Sequence, residues 1–407
     1  MTPSESAATK AAPSAFAPLP LPDGFRSAMP VAERWAYYDH AAVGPLSGPA
    51  REALRTWTDI ATCDGDVRWL EWLAAYEQLR RTIADRLGAD EREIAFVGNT
   101  TDGIGIVAEG LAWESGDNIV LPAGEFPSNH YAWKRLADRG VELRIVPVGP
   151  RGDFGPQEIR SRCDARTRLI ATSWVGFASG FRCDVAGIAE VARQTGARFL
   201  LDAIQGLGVF PLDLSSLPID FVVADGHKWL LGPEGFGLLY VRHERQEEVR
   251  PTRIGWNSVR NPFDYQRLDL EFRDDARRYE GGSANFAAAH ALAASIELLG
   301  RSGWSATDAR LAERVLTATD DLVERIRAAG ASVHSDRRPE HASGIVLFSF
   351  PERDPVALRK RLLERGVVTS CRAGRLRAAV HGYNDASDAE RFETALIESL
   401  TDSRPLG

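Results

Sequence analysis

The chain has 407 residues, 44% of them apolar and 26% charged, a length for two or three domains and a balance that excludes wholesale disorder, collagen and coiled coil. Lys and Arg number 49 and Asp and Glu 57, so the net charge of −8 argues against nucleic-acid binding, which usually shows a basic balance or stripe. The four cysteines, Cys63, Cys163, Cys183 and Cys371, form no CxxC pair; they suggest neither a zinc site nor a secreted disulfide framework, and they fit a reducing, cytoplasmic compartment.

The start of the chain is rich in Ala, Pro and Ser and lacks the apolar core of a secretory signal. Residues 1–30 are read as a disordered extension. No run reaches the roughly 18 apolar residues of a membrane span. Next comes a helical stripe over Val67–Leu87, with Trp69, Leu70, Leu73, Tyr76, Leu79 and Ile83 on one face. Strands are then predicted at Ile94–Val97, Ile119–Leu121, Leu143–Val146, Leu169–Ser173, Arg198–Leu201, Phe221–Ala224 and Leu238–Val241. Helices Thr101–Leu111, Ser128–Arg139 and Asp184–Thr195 fall between them. Such alternation implies βαβ crossovers and a mainly parallel, seven-stranded sheet covered on both faces. The irregular stretch Arg245–Arg278, with Trp256, Asn257, Phe263 and Tyr265, reads as a functional loop that lines a pocket. Helices Leu311–Ala328, Pro355–Arg365 and Ala389–Leu400 with strands Ile345–Phe350, Val367–Thr369 and Leu376–Val380 make a smaller α/β domain. The division is 31–284 for the large domain and 285–407 for the small one.

In a parallel sheet, ligands collect beyond the carboxyl ends of the strands. After the first strand stands Asn99-Thr100-Thr101-Asp102 at a helix start, which is either an anion cradle or an ordinary cap. After the second stands Glu125-Phe126-Pro127-Ser128-Asn129, where Phe126 is either a stacking ring or core. Asp202 closes the fifth strand, followed by Gln205; it is either an N-cap or a partner for a cationic ring nitrogen. Asp225-Gly226-His227-Lys228 follows the sixth, and Lys228 is either a solvated turn residue or a desolvated amine fit for a Schiff base. Each is ambiguous alone. In this order the four describe a site for an anion, a planar ring, a protonatable nitrogen and an aldehyde, which is pyridoxal 5′-phosphate (PLP).

With these stretches the chain resembles the class V aminotransferase-fold enzymes, which include cysteine desulfurases, kynureninases and isopenicillin N epimerase-like proteins. Tyr37-Tyr38-Asp39-His40-Ala41-Ala42-Val43-Gly44, Gly281-Gly282-Ser283-Ala284-Asn285 and Leu376-Arg377-Ala378-Ala379-Val380-His381-Gly382-Tyr383-Asn384 extend the likeness over about residues 35 to 400. The resemblance implies a fold-type I PLP-dependent transferase with Lys228 and Asp202 catalytic. It implies Asn99, Thr100, Thr101 and His227 at the phosphate, Phe126 stacked on the ring and Gln205 at its phenolic oxygen. Ser283 would reach the phosphate of a neighbouring subunit, hence a homodimer with shared sites. Arg377 would hold the carboxylate of a small amino-acid substrate, and His40 on the N-terminal loop would cap the pocket. Asp225 stands where many relatives carry Ser, so it is left off the phosphate set; no metal is implied.

The reaction is less legible. A desulfurase needs a thiolate near the substrate sulfur. Cys371 lies only six residues before Arg377, too close for the loop that carries that cysteine in relatives. The expected activity is transamination or epimerisation at Cα; the alternative is a desulfurase or C–S lyase. A non-catalytic scaffold is the reading from another class, against which the joint presence of Lys228, Asp202 and Arg377 argues.

Overall fold

The computed structural model describes residues 24–401. Its strands in chain order are β1 (Ala36–Tyr37), β2 (Ile94–Val97), β3 (Asn118–Pro122), β4 (Glu142–Val146), β5 (Thr167–Ser173), β6 (Arg198–Asp202), β7 (Phe221–Asp225), β8 (Gly237–Val241), β9 (Ser332–Val333), β10 (Ile345–Ser349), β11 (Val367–Val368), β12 (Ser370–Arg372) and β13 (Arg375–Ala379). β2 to β8 form the expected seven-stranded sheet, in the order β2-β8-β7-β6-β5-β3-β4. All its pairings are parallel except those of β8, which runs antiparallel to β2 and β7. A second sheet has the order β12-β13-β10-β9. Among the described residues no helix is long and apolar enough to cross a membrane.

The two-residue strand period sends alternate side chains to opposite faces. In β6, Phe199 and Leu201 enter one core cluster and Leu200 the other. Both faces are thereby buried, which explains the near-continuous apolar strands. Helices Trp69–Leu87, Val185–Thr195 and Phe286–Arg301 cover one face, and Thr100–Gly110 covers the other. A third cluster fills the small domain, between its sheet and helices Arg310–Ala328, Pro355–Glu364 and Ala386–Thr401.

Two long helices have no counterpart in the sequence reading. Gly48–Cys63 carries a stripe of Ala50, Ala53, Leu54, Trp57, Ile60 and Ala61 at helical spacing that the sequence reading passed over; of these only Ala50 is fully buried. Phe286–Arg301 is Ala-rich and apolar on most sides, and a helix buried all round lacks the 3.6-residue period. Its Phe286, Leu292, Ile296 and Leu299 belong to the core of the large sheet, so no break in packing falls at residue 285. Leu70, placed on the buried stripe, is 74% exposed.

The extension read over 1–30 is too long. Residues 1–23 lie outside the described residues, but Phe25 and Met29 are buried, and Arg26 pairs with Asp388 at 2.7 Å. Beyond them the N-terminal segment bridges the two sheets. β1 pairs in parallel with β11, and the Ala379 N–H donates to Tyr38 O at 2.8 Å. A few residues on, the Gly44 N–H donates to His227 O at 2.7 Å. A Cβ on Gly44 would collide with the Lys228 carbonyl, so glycine is required by this close approach.

Candidate active site

Beyond the carboxyl ends of β5, β6 and β7 lies a cavity of about 170 Å³. Its wall brings together Asn99, Thr100, Thr101, Phe126, Asp202, Gln205, His227 and Lys228 from segments far apart in sequence. Lys228 follows β7, held by the Gly44 contact, by a loop closed where Gly232 N–H donates to Gly226 O at 2.8 Å, and by a turn in which Leu231 N–H donates to Lys228 O at 3.2 Å. Burial lowers its amine to about 8; repulsion from Arg377 and Arg372 acts the same way, and Asp202 opposes it. Asp202 closes β6, is 3% exposed, and accepts from the Ile204 N–H at 3.2 Å. Burial, then the charge of Glu125, raises its carboxyl to about 7. The Lys228 ammonium position lies 5.7 Å from the Phe126 ring centroid, and that ring meets Phe177 edge-to-face at 5.2 Å.

At one end of the cavity, three buried polar atoms have no hydrogen-bond partner: Thr100 Oγ1, His227 Nδ1 and Asp225 Oδ1. His227 Nδ1 stands 3.0 Å from Asp225 Oδ2, an ion-pair distance without hydrogen-bond alignment. Thr100 opens the eleven-residue helix Thr100–Gly110, whose first N–H groups favour an anion. Asn99 is that helix's cap, its Oδ1 accepting from the Asp102 N–H at 2.9 Å. The Thr101 hydroxyl donates to Ser128 at 2.8 Å. Gln205 accepts from Trp229 Nε1 at 2.8 Å and donates to Ala41 O at 3.0 Å, which leaves one amide N–H uncommitted. The residues present fit PLP: unsatisfied donors at a helix start for a phosphate, an aromatic face for the ring, a buried carboxyl for its nitrogen and a desolvated amine for its aldehyde.

Arg377 on β13 is 1% exposed and already engaged. Its Nη2 lies 3.1 Å from Asp39 Oδ1, Nε donates to Ser370 Oγ at 3.0 Å, and Nη1 donates to Phe177 O at 2.6 Å. Ser370 in turn donates to Asp39 at 2.6 Å. Burial lowers the guanidinium to about 10 and Asp39 opposes this.

Two expectations are corrected. His40 does not cap the pocket: it is fully buried, with Nδ1 3.0 Å from Ala379 O and Nε2 2.8 Å from the Tyr383 hydroxyl. Burial, then His381, drives its pKa well below the usual value, so it is a neutral strut between the sheets. Trp256, Asn257 and Phe263 line a separate surface depression beside Ser283, and Tyr265 is 70% exposed. Ser283 itself stands outside the Lys228 cavity of its own chain.

Sequence reading missed Ser173, Phe177 and Ile204 in the cavity wall. The strand-end rule would have found the first two, since β5 was correctly ended at Ser173 and the residues after it were not inspected. Arg372 was also missed. It shares a sheet face with Ser370, two residues away, and its charge acts on both Lys228 and Arg377.

A mainly parallel sheet with a desolvated lysine, a buried carboxyl and an anion-ready helix start at its strand ends defines a PLP-dependent enzyme of fold type I. The aminotransferase class-V family model matches residues 67–392, and the chain belongs to that family, whose cofactor is PLP. A probable cysteine desulfurase of Methanothermobacter thermautotrophicus is 30% identical, over 79% of this chain and 83% of its own. Isopenicillin N epimerase of Streptomyces clavuligerus is 29% identical, over 88% and 93%. The apo structure of a cysteine desulfurase from Thermococcus onnurineus superposes with a TM-score of 0.84 at 24% identity, over 93% of this chain and 98% of that one.

Proposed function

We propose that the chain acts at the α-carbon of a small amino acid, by aminotransfer or epimerisation, with PLP joined to Lys228. The observation that carries the choice of reaction is the orientation of Cys371. Its thiol donates to Pro355 O at 3.3 Å and packs against the small-domain core. Its neighbours Ser370 and Arg372 take the opposite face, toward Arg377. Burial raises the thiol's pKa, the wrong direction for a persulfide-forming nucleophile. Neither Cys63, Cys163 nor Cys183 lines the Lys228 cavity.

When bound, the cofactor supplies an electron sink for a carbanion at Cα. The neutral fraction of the Lys228 amine is the base at Nζ that holds and returns the α-proton. Asp202 holds a proton at the ring nitrogen, Phe126 covers the ring, and Thr100 with the helix start holds the phosphate. Arg377 reads the substrate carboxylate in exchange for Asp39, which now occupies it.

A second reading, C–S cleavage, is supported by the names of the relatives. Incubating the holoenzyme with an amino-acid panel separates the two by assay of keto acid, D-enantiomer and sulfide. Keto acid or D-enantiomer is expected. Sulfide from cysteine would overturn the reading, by a persulfide route if Cys371→Ser abolishes it and by a lyase route if it survives.

A homodimer belongs to the same proposal. Phe263, Leu268 and Leu270 are exposed on the loop beside Ser283, and Phe263 meets Trp69 edge-to-face at 5.8 Å. A second copy covering this apolar face would bring Ser283 toward the other subunit's phosphate end. Sedimentation should show a dimer at micromolar concentration, and a monomer refutes it.

A further inference from the structure

A second buried carboxylate stands behind the cavity wall. Glu125 immediately precedes Phe126 and is buried. It accepts from the Ser173 N–H at 2.6 Å, from the Ser173 hydroxyl and from Asn129 Nδ2 at 2.9 Å. Asn129 is itself fixed, accepting from Trp133 Nε1 at 2.8 Å. Ser173 is the register partner of Asp202 across β5 and β6, and both line the cavity. One carboxylate thus ties together the loop of the stacking ring, the strand beside the ring-nitrogen acid and the helix after them.

Burial raises the Glu125 pKa, and the converging N–H and O–H donors oppose that by favouring the acceptor-only, ionised carboxylate. Its charge is felt at Asp202, where two like charges in a buried setting disfavour each other. A cation placed against Asp202 relieves that repulsion, and a protonated ring nitrogen is such a cation.

We propose that Glu125 is a positioning residue for the cofactor ring: it holds Phe126 and Ser173 in place, and its charge strengthens the hold of Asp202 on the protonated ring nitrogen. This rests on the reading that PLP occupies the Lys228 cavity.

The test is PLP affinity of the apoprotein, read by quenching of tryptophan fluorescence, in wild type, Glu125→Gln, Asp202→Asn and the double variant. Glu125→Gln should weaken PLP about tenfold, one pK unit's worth of interaction, and the same change in the Asp202→Asn background should have an effect of less than about twofold if the charge acts through Asp202. An equal loss in both backgrounds would overturn the charge role and leave only the hold on Phe126 and Ser173; no loss in either would overturn both. Glu125→Asp keeps the charge and should recover most of the affinity; should Glu125→Gln not fold, a tenfold loss in Glu125→Asp refutes the charge argument. Failure of wild-type apoprotein to bind PLP refutes the cofactor reading itself and the proposal with it.

Discussion

The state of the Lys228 amine gives the sharpest prediction. Burial takes it from the ordinary 10.5 to about 8. At pH 7, roughly one amine in ten is then neutral, against about one in three thousand for a lysine in water. The reactive fraction is higher by on the order of 100-fold, which is what a residue that must attack an aldehyde requires. As a base with a depressed pKa, Lys228 should gain reactivity through pH 8 and level off by about pH 9, where a solvated lysine is still climbing. Asp202→Asn removes the carboxylate that favours the ammonium form, so the midpoint should fall below 8. Arg372→Gln removes a repelling cation, so the midpoint should rise. Competitive labelling of apoprotein with acetic anhydride, with a lysine peptide as internal standard and mass spectrometry of the Lys228 peptide, measures this directly. The reasoning is refuted if Lys228 tracks the standard to pH 10, or if Asp202→Asn raises the midpoint.

Asp39→Asn leaves the buried Arg377 without its carboxylate and should cost about 3 kcal/mol of folding stability; an unchanged urea midpoint contradicts this. Gly44→Ala forces a methyl group onto the Lys228 carbonyl, so the purified protein should lose most of its cofactor absorbance, whereas full retention would show that the N-terminal loop is not pressed against the lysine turn. Cys371→Ser should leave amino-acid turnover within about twofold, because the thiol bonds Pro355 O on the far side of the sheet; a loss of activity points to a thiol mechanism.

Much of the large sheet was legible because its strands are short apolar runs bounded by turns and its crossover helices are amphipathic. The same reasoning failed on Phe286–Arg301, where burial on most sides erases the period, and it passed over Gly48–Cys63, whose stripe of Leu54, Trp57 and Ile60 has the period. Loops defeated it differently. His40 and the aromatics Trp256 and Phe263 carry chemistry that suits a pocket, and only the tertiary arrangement says which pocket or core receives them.

Phe126, Asp202 and Lys228 were found because strand order and strand ends are local, periodic properties, and the fold class places the carboxyl ends of the parallel strands on one rim. Their partners were not, because contacts across the sheet have no local signature. Asp39 reaches Arg377 across 338 residues, and Glu125 reaches Ser173 across 48. Periodicity therefore settled the α/β architecture, and the residues at the strand ends, taken together with the family resemblance, settled the kind of cofactor. Long-range packing settled that Arg377 is paired with a carboxylate of its own chain, that Cys371 bonds Pro355 on the other face of its strand, and that a second acid stands behind the first.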